Sequence, residues 1–155
     1  VCPQHILRDV HALYSKRTAD EGIDLRLEMS NPPYSGTFDA DALHSLLCNL
    51  VGNAIDGCRF DPDQTKTSHT ITLRCQREEA GATVLEVEDD GAGIPGELSE
   101  KIFEDLFSTK GTEGTGLGLM VVQKVAHEHG GSVSFRSTPG KGTAFRVTIP
   151  PVARD

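Results

Sequence analysis

Apolar positions recur along the chain in two rhythms, and the switches between them outline the elements. Ile6, Leu7, Val10, Leu13 and Tyr14 fall at three- and four-residue steps and predict a helix over residues 3–19. Residues 23–29 alternate like a strand, and Asn31-Pro32-Pro33-Tyr34-Ser35-Gly36 reads as a loop. The clearest helix follows. Leu43, Leu46, Leu47, Leu50, Val51, Ala54, Ile55 and Cys58 make one continuous apolar stripe, with Asp39 placed as its N-cap. A polar stretch over 60–69 separates it from two alternating runs, 70–76 and 83–89, joined near Ala80-Gly81. A short helix over 98–103 and a Gly-, Thr- and Ser-rich loop over 104–115 come next. A helix over 117–129 follows, with Gly130-Gly131 as its stop. Residues 132–137 and 143–149 predict a final hairpin around Pro139-Gly140-Lys141-Gly142. Helices and strands mix without strict alternation, which predicts a two-layer α/β (α+β) sandwich.

Length and charge narrow the functions open to this pattern. The 155 residues suffice for one domain with its own core, and an apolar fraction of 37% is compatible with a globular fold. The net charge is −8 and no Lys/Arg run stands out, which argues against a nucleic-acid surface. An acidic chain can still hold a polyphosphate where backbone N–H groups and a metal ion balance the charge. The four cysteines have no metal-ligand spacing, and Cys48 and Cys58 sit in an apolar helical pattern, as buried thiols do. That usage fits a reducing, cytoplasmic compartment. No secretory leader or membrane-spanning run is visible, so no membrane contact is expected of this segment. A start at Val1 without an initiator Met suggests a segment of a longer polypeptide, whose other parts are free to include a membrane anchor.

Two glycine clusters carry the chemistry. Asp89-Asp90-Gly91-Ala92-Gly93 closes the second of the middle strands, and about twenty residues later Gly114-Thr115-Gly116-Leu117-Gly118-Leu119 feeds a helix. Glycine lets the backbone approach a ligand, and the free N–H groups of a helix start favour phosphate. Two such loops in one domain argue for a nucleotide.

Other polar positions are less decided. Asn49, Asn53 and Asp56 share one face of the leucine-striped helix, at i, i+4 and i+7. A side-chain oxygen there suits Mg²⁺, and a solvated polar face is the plain alternative. Asp89 shares a strand face with Leu85 and Val87 and is expected at the core's edge, where a buried carboxylate needs donors. The adenine N6 amino group is one such donor; a cap on the Asp90-Gly91 turn is the other reading. Thr143 shares the inner face of the last strand with Phe145, Val147 and Ile149, and opens on the core edge or bonds a neighbouring strand. Lys110 lies in the Gly-rich loop, either closing over a γ-phosphate or solvated. His127-Glu128-His129 lacks the spacing of a zinc helix, and His129 reads as a last-turn residue.

These motifs together resemble the catalytic and ATP-binding domain of sensor histidine kinases of the GHKL superfamily. Leu46-Leu47-Cys48-Asn49-Leu50-Val51-Gly52-Asn53-Ala54-Ile55 resembles the asparagine box. Asp89 through Pro95 is similar to the DxGxGIP box, and Ile102 through Lys110 to the phenylalanine box. Gly114 through Leu119 is similar to the GTGLGL box. His129-Gly130-Gly131 and the run from Pro139 to Phe145 resemble the family's tail. The resemblance implies a Bergerat fold, a mixed, mostly antiparallel sheet packed against about three helices. It implies a catalytic and ATP-binding domain over 23–150, preceded over 1–22 by a helix or linker from a dimerisation region and followed by a tail over 151–155. That first helix either packs on the domain or belongs to the linker.

The resemblance also implies ATP and Mg²⁺ as ligands, with Asn53 on the metal and Asp89 reading adenine. Gly91 and Gly93 would shape the adenine side, Asp56, Ile94, Phe103 and Thr143 would also contact the nucleotide, and the loop over 104–115 would act as a lid. Lys110 and Gly114 to Leu119 would meet the phosphates. Asp56 stands where many histidine kinases carry Lys, a feature of the nitrogen-regulator type, and leaves Lys110 or Arg59 as the cationic contact. No histidine here carries the phosphoacceptor pattern, so the acceptor is expected on a separate dimerisation domain of the same protein, with a response regulator downstream. Related hydrolases place a Glu where this chain has Asn49, and an amide is no general base near neutral pH. Phosphotransfer to histidine is therefore expected over hydrolysis. A serine-directed, anti-sigma-type kinase and a non-catalytic nucleotide-binding module are the alternatives.

Overall fold

The computed structural model of the chain describes residues 1–29, 32–107 and 119–151, with the backbone alone at 103–107. Along it run α1 (Pro3–Asp20), β1 (Ile23–Met29), α2 (Ala40–Arg59), β2 (His69–Arg77) and β3 (Thr83–Asp89). They are followed by α3 (Gly96–Phe107), α4 (Leu119–Glu128), β4 (Ser132–Thr138) and β5 (Gly142–Ile149).

The five strands form one sheet in the order β1-β2-β3-β5-β4. β1 and β2 pair in parallel, and the other three pairs are antiparallel. A parallel neighbour needs a crossover, and α2 supplies it. Alternation sends Ile71, Leu73, Cys75, Leu85, Val87, Phe145 and Val147 to one face, where the helices bury them. The opposite face is polar. There the buried Glu86 of β3 is held by Arg74 of β2, Arg146 of β5 and Arg136 of β4.

α2 forms because its apolar residues keep helical spacing over five turns and its start is capped: the Asp39 carboxylate accepts the Ala42 N–H at 3.1 Å. Leu43, Leu46, Leu47, Leu50, Val51 and Ile55 are buried against the sheet and the neighbouring helices. The helix layer holds four described helices rather than about three, because α1 joins it. Leu7 and Val10 are fully buried in the common core, α1 packs on β1 and α2, and the His11 ring donates to the Leu25 carbonyl at 2.8 Å. α3 is longer than the expected 98–103. Its first helical bond runs from the Ser99 N–H to the Pro95 carbonyl, so the helix begins straight after the glycine cluster.

Candidate nucleotide site

The end of β3 and the middle of α2 face each other across a cavity of about 220 Å³. Its walls come from Asn53, Asp56, Gly57 and Phe60 on one side and Asp89 with Ala92, Gly93, Ile94 and Pro95 on the other. Leu98, Thr143 and Phe145 complete it. Whole drug-sized ligands occupy pockets of roughly 300–1,000 Å³. This one therefore takes part of such a ligand, of the size of a heterocyclic base, and the remainder must lie outside it. Three other cavities among the described residues are larger: about 260 Å³ beside Thr72 and Arg136, about 380 Å³ beside Tyr34 and His129, and about 250 Å³ among Arg74, Glu86 and Arg146. Asp89 also borders the first of these, and the walls of all three are more polar than those of the cavity beside Asn53.

Period-two alternation in β3 turns Asp89 to the helix side, where it is 8% exposed. Its Oδ1 accepts the Gly91 N–H at 2.9 Å. Burial pushes its pKa up to about 6, with the like charges of Asp90 and Glu88 adding to the rise, against the hydrogen bonds from the Gly91 and Thr143 backbones. Asp89 thus caps its turn, and the same carboxylate lines the cavity. Thr143 pairs with Asp89 across the β3–β5 ladder, and its hydroxyl lies 2.9 Å from that of Ser137 on β4. Thr143 therefore bonds the neighbouring strand and also lines the cavity.

The glycines are required by contact. A Cβ on Gly91 would lie 2.4 Å from the Gly57 carbonyl oxygen, and one on Gly93, at φ 73°, would lie 2.3 Å from that of Thr138. Between them Ala92 donates its N–H to the Gly57 carbonyl at 2.9 Å, and Ile94 donates its own to the Ser137 hydroxyl at 2.7 Å. The loop is thus sewn to α2 on one side and to β4 on the other.

The three polar residues of α2 part company. The Asn53 amide reaches the cavity, and its Nδ2 is buried without a hydrogen-bond partner among the described residues. Such an atom costs free energy unless a ligand satisfies it. Asp56 lines the mouth and is exposed. Asn49 instead turns its Nδ2 back to the Ser45 carbonyl at 2.8 Å and does not line the cavity. Arg59, an alternative phosphate contact, pairs with Glu21 at 3.2 Å and covers the Phe60 ring. Leu119 opens α4 and is buried, and the Phe103 backbone lies on α3. Lys110, Gly114, Thr115, Gly116, Leu117 and Gly118 lie outside the described residues.

Sequence reasoning missed Gly57, Phe60, Ala92, Pro95, Leu98 and Phe145 as cavity walls. Gly57 had a signal. It lies one turn beyond Asn53, inside a helix, where glycine costs about 1 kcal/mol against alanine. A Cβ there would come within 3.4 Å of the Asp89 carboxylate. Phe60, 71% exposed at the end of α2, had none.

Comparison with known proteins agrees with this architecture. Residues 38–153 match the family described as histidine kinase-, DNA gyrase B-, and HSP90-like ATPase. The chain is 39% identical over 126 residues to the sensory histidine kinase/phosphatase NtrB of Rhodobacter capsulatus, a match covering 78% of this chain and 34% of that one. It thus spans about a third of the length of that relative. The nucleotide-free catalytic domain of the histidine kinase ThkA superposes with a TM-score of 0.74 at 30% identity, over 96% of this chain and 91% of that one. Full-length ShkA in complex with AMPPNP does so at 0.75 and 26% identity, over 99% of this chain and 31% of that one. The sheet order, the walled cavity and these matches converge: the chain belongs to the histidine kinase-, DNA gyrase B- and HSP90-like ATPase family, within it to the catalytic domains of the histidine kinases.

Proposed function

We propose that the chain binds MgATP with its base in the Asp89 cavity and transfers the γ-phosphoryl group to a histidine on a dimerisation and phosphoacceptor domain of the same protein. A response regulator then receives the group. The buried Asp89 carboxylate carries the reading. It is an acceptor held at the base of an apolar-walled cavity, and it matches the adenine N6 amino group. Guanine presents an oxygen there, and two acceptors facing each other leave both unpaired.

Asn53 fits the same ligand. Its Nδ2, unpartnered among the described residues, is a donor and suits a nucleotide oxygen, and its Oδ1 is the hard oxygen that Mg²⁺ prefers. Bound Mg²⁺ would neutralise phosphate charge. Asp56 at the cavity mouth is the further oxygen ligand within this face, and Lys110 with Gly114 to Gly118 are assigned to the phosphates. One turn before Asn53 stands Asn49, whose amide is engaged with its own helix and cannot deprotonate water. The domain therefore positions the nucleotide for an imidazole that is nucleophilic when neutral, and turns over little ATP by itself. ThkA has also been solved in complex with the response regulator protein TrrA, which supports the downstream partner. No described helix is long and apolar enough to cross a membrane, and we place this domain in the cytoplasm.

The test is transfer of label from γ-labelled ATP to the parent protein's phosphoacceptor fragment, mixed in trans. The expected label is acid-labile and base-stable, as a phosphohistidine is, and it disappears in Asn53→Ala. Acid-stable label would favour the serine-directed reading. Rapid phosphate release by the chain alone would overturn transfer as its role.

A further inference from the structure

The segment between α2 and β2 makes a contact that the site's own residues do not explain. It is built on two aspartates. Asp61 Oδ1 accepts the Asp63 N–H at 3.0 Å, and Asp63 Oδ1 accepts the Thr65 N–H at 2.9 Å. These turns bring Lys66 back over the start of the segment. The Asp61 side chain is fully buried, and its Oδ2 accepts from Lys66 Nζ at 2.6 Å and from the His69 ring at 2.9 Å. The two partners hold its pKa well below the usual carboxylate range.

Lys66 does not stop at Asp61. Its Nζ also donates to the backbone carbonyls of Asp90, at 2.8 Å, and Gly91, at 3.2 Å. An ammonium has three protons, and here three protein acceptors take them. The side chain is 20% exposed, unlike that of a solvated loop lysine. Beside it the Thr70 N–H donates to Asp90 Oδ1 at 2.9 Å.

Both carbonyls belong to the loop that orients Asp89. Gly91 offers its carbonyl to Lys66 and its N–H to the Asp89 carboxylate. The loop is glycine-rich and has few side chains with which to hold itself. α2 holds it through Gly57 and β4 through Ser137, and Lys66 adds bonds to the Asp90 and Gly91 carbonyls. Lys66 does not line the cavity. We propose that Lys66, anchored by the buried Asp61, is a positioning residue for nucleotide binding: it fixes the Asp90-Gly91 backbone and thereby the direction in which Asp89 meets the base. This rests on the nucleotide reading above.

The test titrates four forms of the chain with MgADP by calorimetry: wild type, Lys66→Met, Lys66→Arg and the double variant Asp61→Asn/Lys66→Met. Thermal melting and exchange of the Gly91 amide are followed in parallel. The double variant matters because Lys66→Met alone leaves a buried carboxylate short of a cation, which by itself can prevent folding. Loss of a charge-assisted contact of this kind is expected to raise Kd about tenfold and to speed Gly91 exchange. Lys66→Arg should recover most of both. A folded Lys66→Met or double variant with wild-type Kd, whatever its melting temperature, would overturn the proposal. A wild-type chain that takes up no MgADP would instead sink the nucleotide reading, and the Gly91 exchange rates would still decide whether Lys66 anchors the loop.

Discussion

At pH 7 the Asp89 carboxylate is ionised in a place that disfavours charge, since burial lifts its pKa from 3.8 to about 6. Keeping it charged there costs on the order of 3 kcal/mol. The sign follows from proton binding. Between pH 3.8 and about 6 the folded chain holds a proton on Asp89 that the unfolded chain has lost, so this group's contribution to stability falls as pH rises through that window. Binding runs the other way, because the ionised form is the better acceptor for an amino group. ATP affinity is therefore expected to weaken as pH drops below about 6, where Asp89 takes up its proton. Asp89→Asn should melt at least as high as wild type at pH 7 while binding ATP about tenfold more weakly and discriminating less against GTP. Calorimetry from pH 7 to 5 checks this, and a flat ATP affinity for the wild type over that range would leave Asp89 as a turn cap only.

Among the elements, the strongest periodicities were the most legible. The α2 stripe and the alternation in β1 and β3 fixed those boundaries to within a residue, since burial on one face imposes the spacing directly. α3 was read too short because Gly96 masks its start, although Ile102, Phe103, Leu106 and Phe107 continue the helical steps. α1 was legible as a helix but not as a part of the core, because periodicity shows that a face is apolar and not what covers it. With Leu7 and Val10 wholly buried against β1 and α2, residues 1–22 are expected to be integral to this unit. Deleting them should expose core surface, and the loss exceeds that of a single buried Leu→Ala change, about 2–5 kcal/mol. A truncation beginning at Ile23 should lose its cooperative thermal transition. A truncation that melts like the full chain would assign α1 to a separate linker.

At the scale of the molecule, what the sequence lacked was adjacency. Alternation alone turned Asp89 and Thr143 inward, yet only the order β3-β5-β4 sets Thr143 opposite Asp89 and Ser137 opposite Thr143. Strand order depends on long-range pairing, which a local pattern does not encode. Lys66 was illegible for the same reason: in a polar loop it resembles any solvated lysine, and the loop carbonyls it holds stand 24 and 25 residues away. The glycine boxes were legible because close backbone approach leaves no substitute for glycine, as the 2.4 Å clearance at Gly91 shows. All of these features converge on a cavity sized for a base with a carboxylate facing it. The most direct test is calorimetric titration of the chain with ATP, with and without Mg²⁺, and with GTP alongside. Saturable ATP binding that Mg²⁺ strengthens and GTP does not match is the expected result. Equal affinity for the two nucleotides, or no uptake of either, would contradict it.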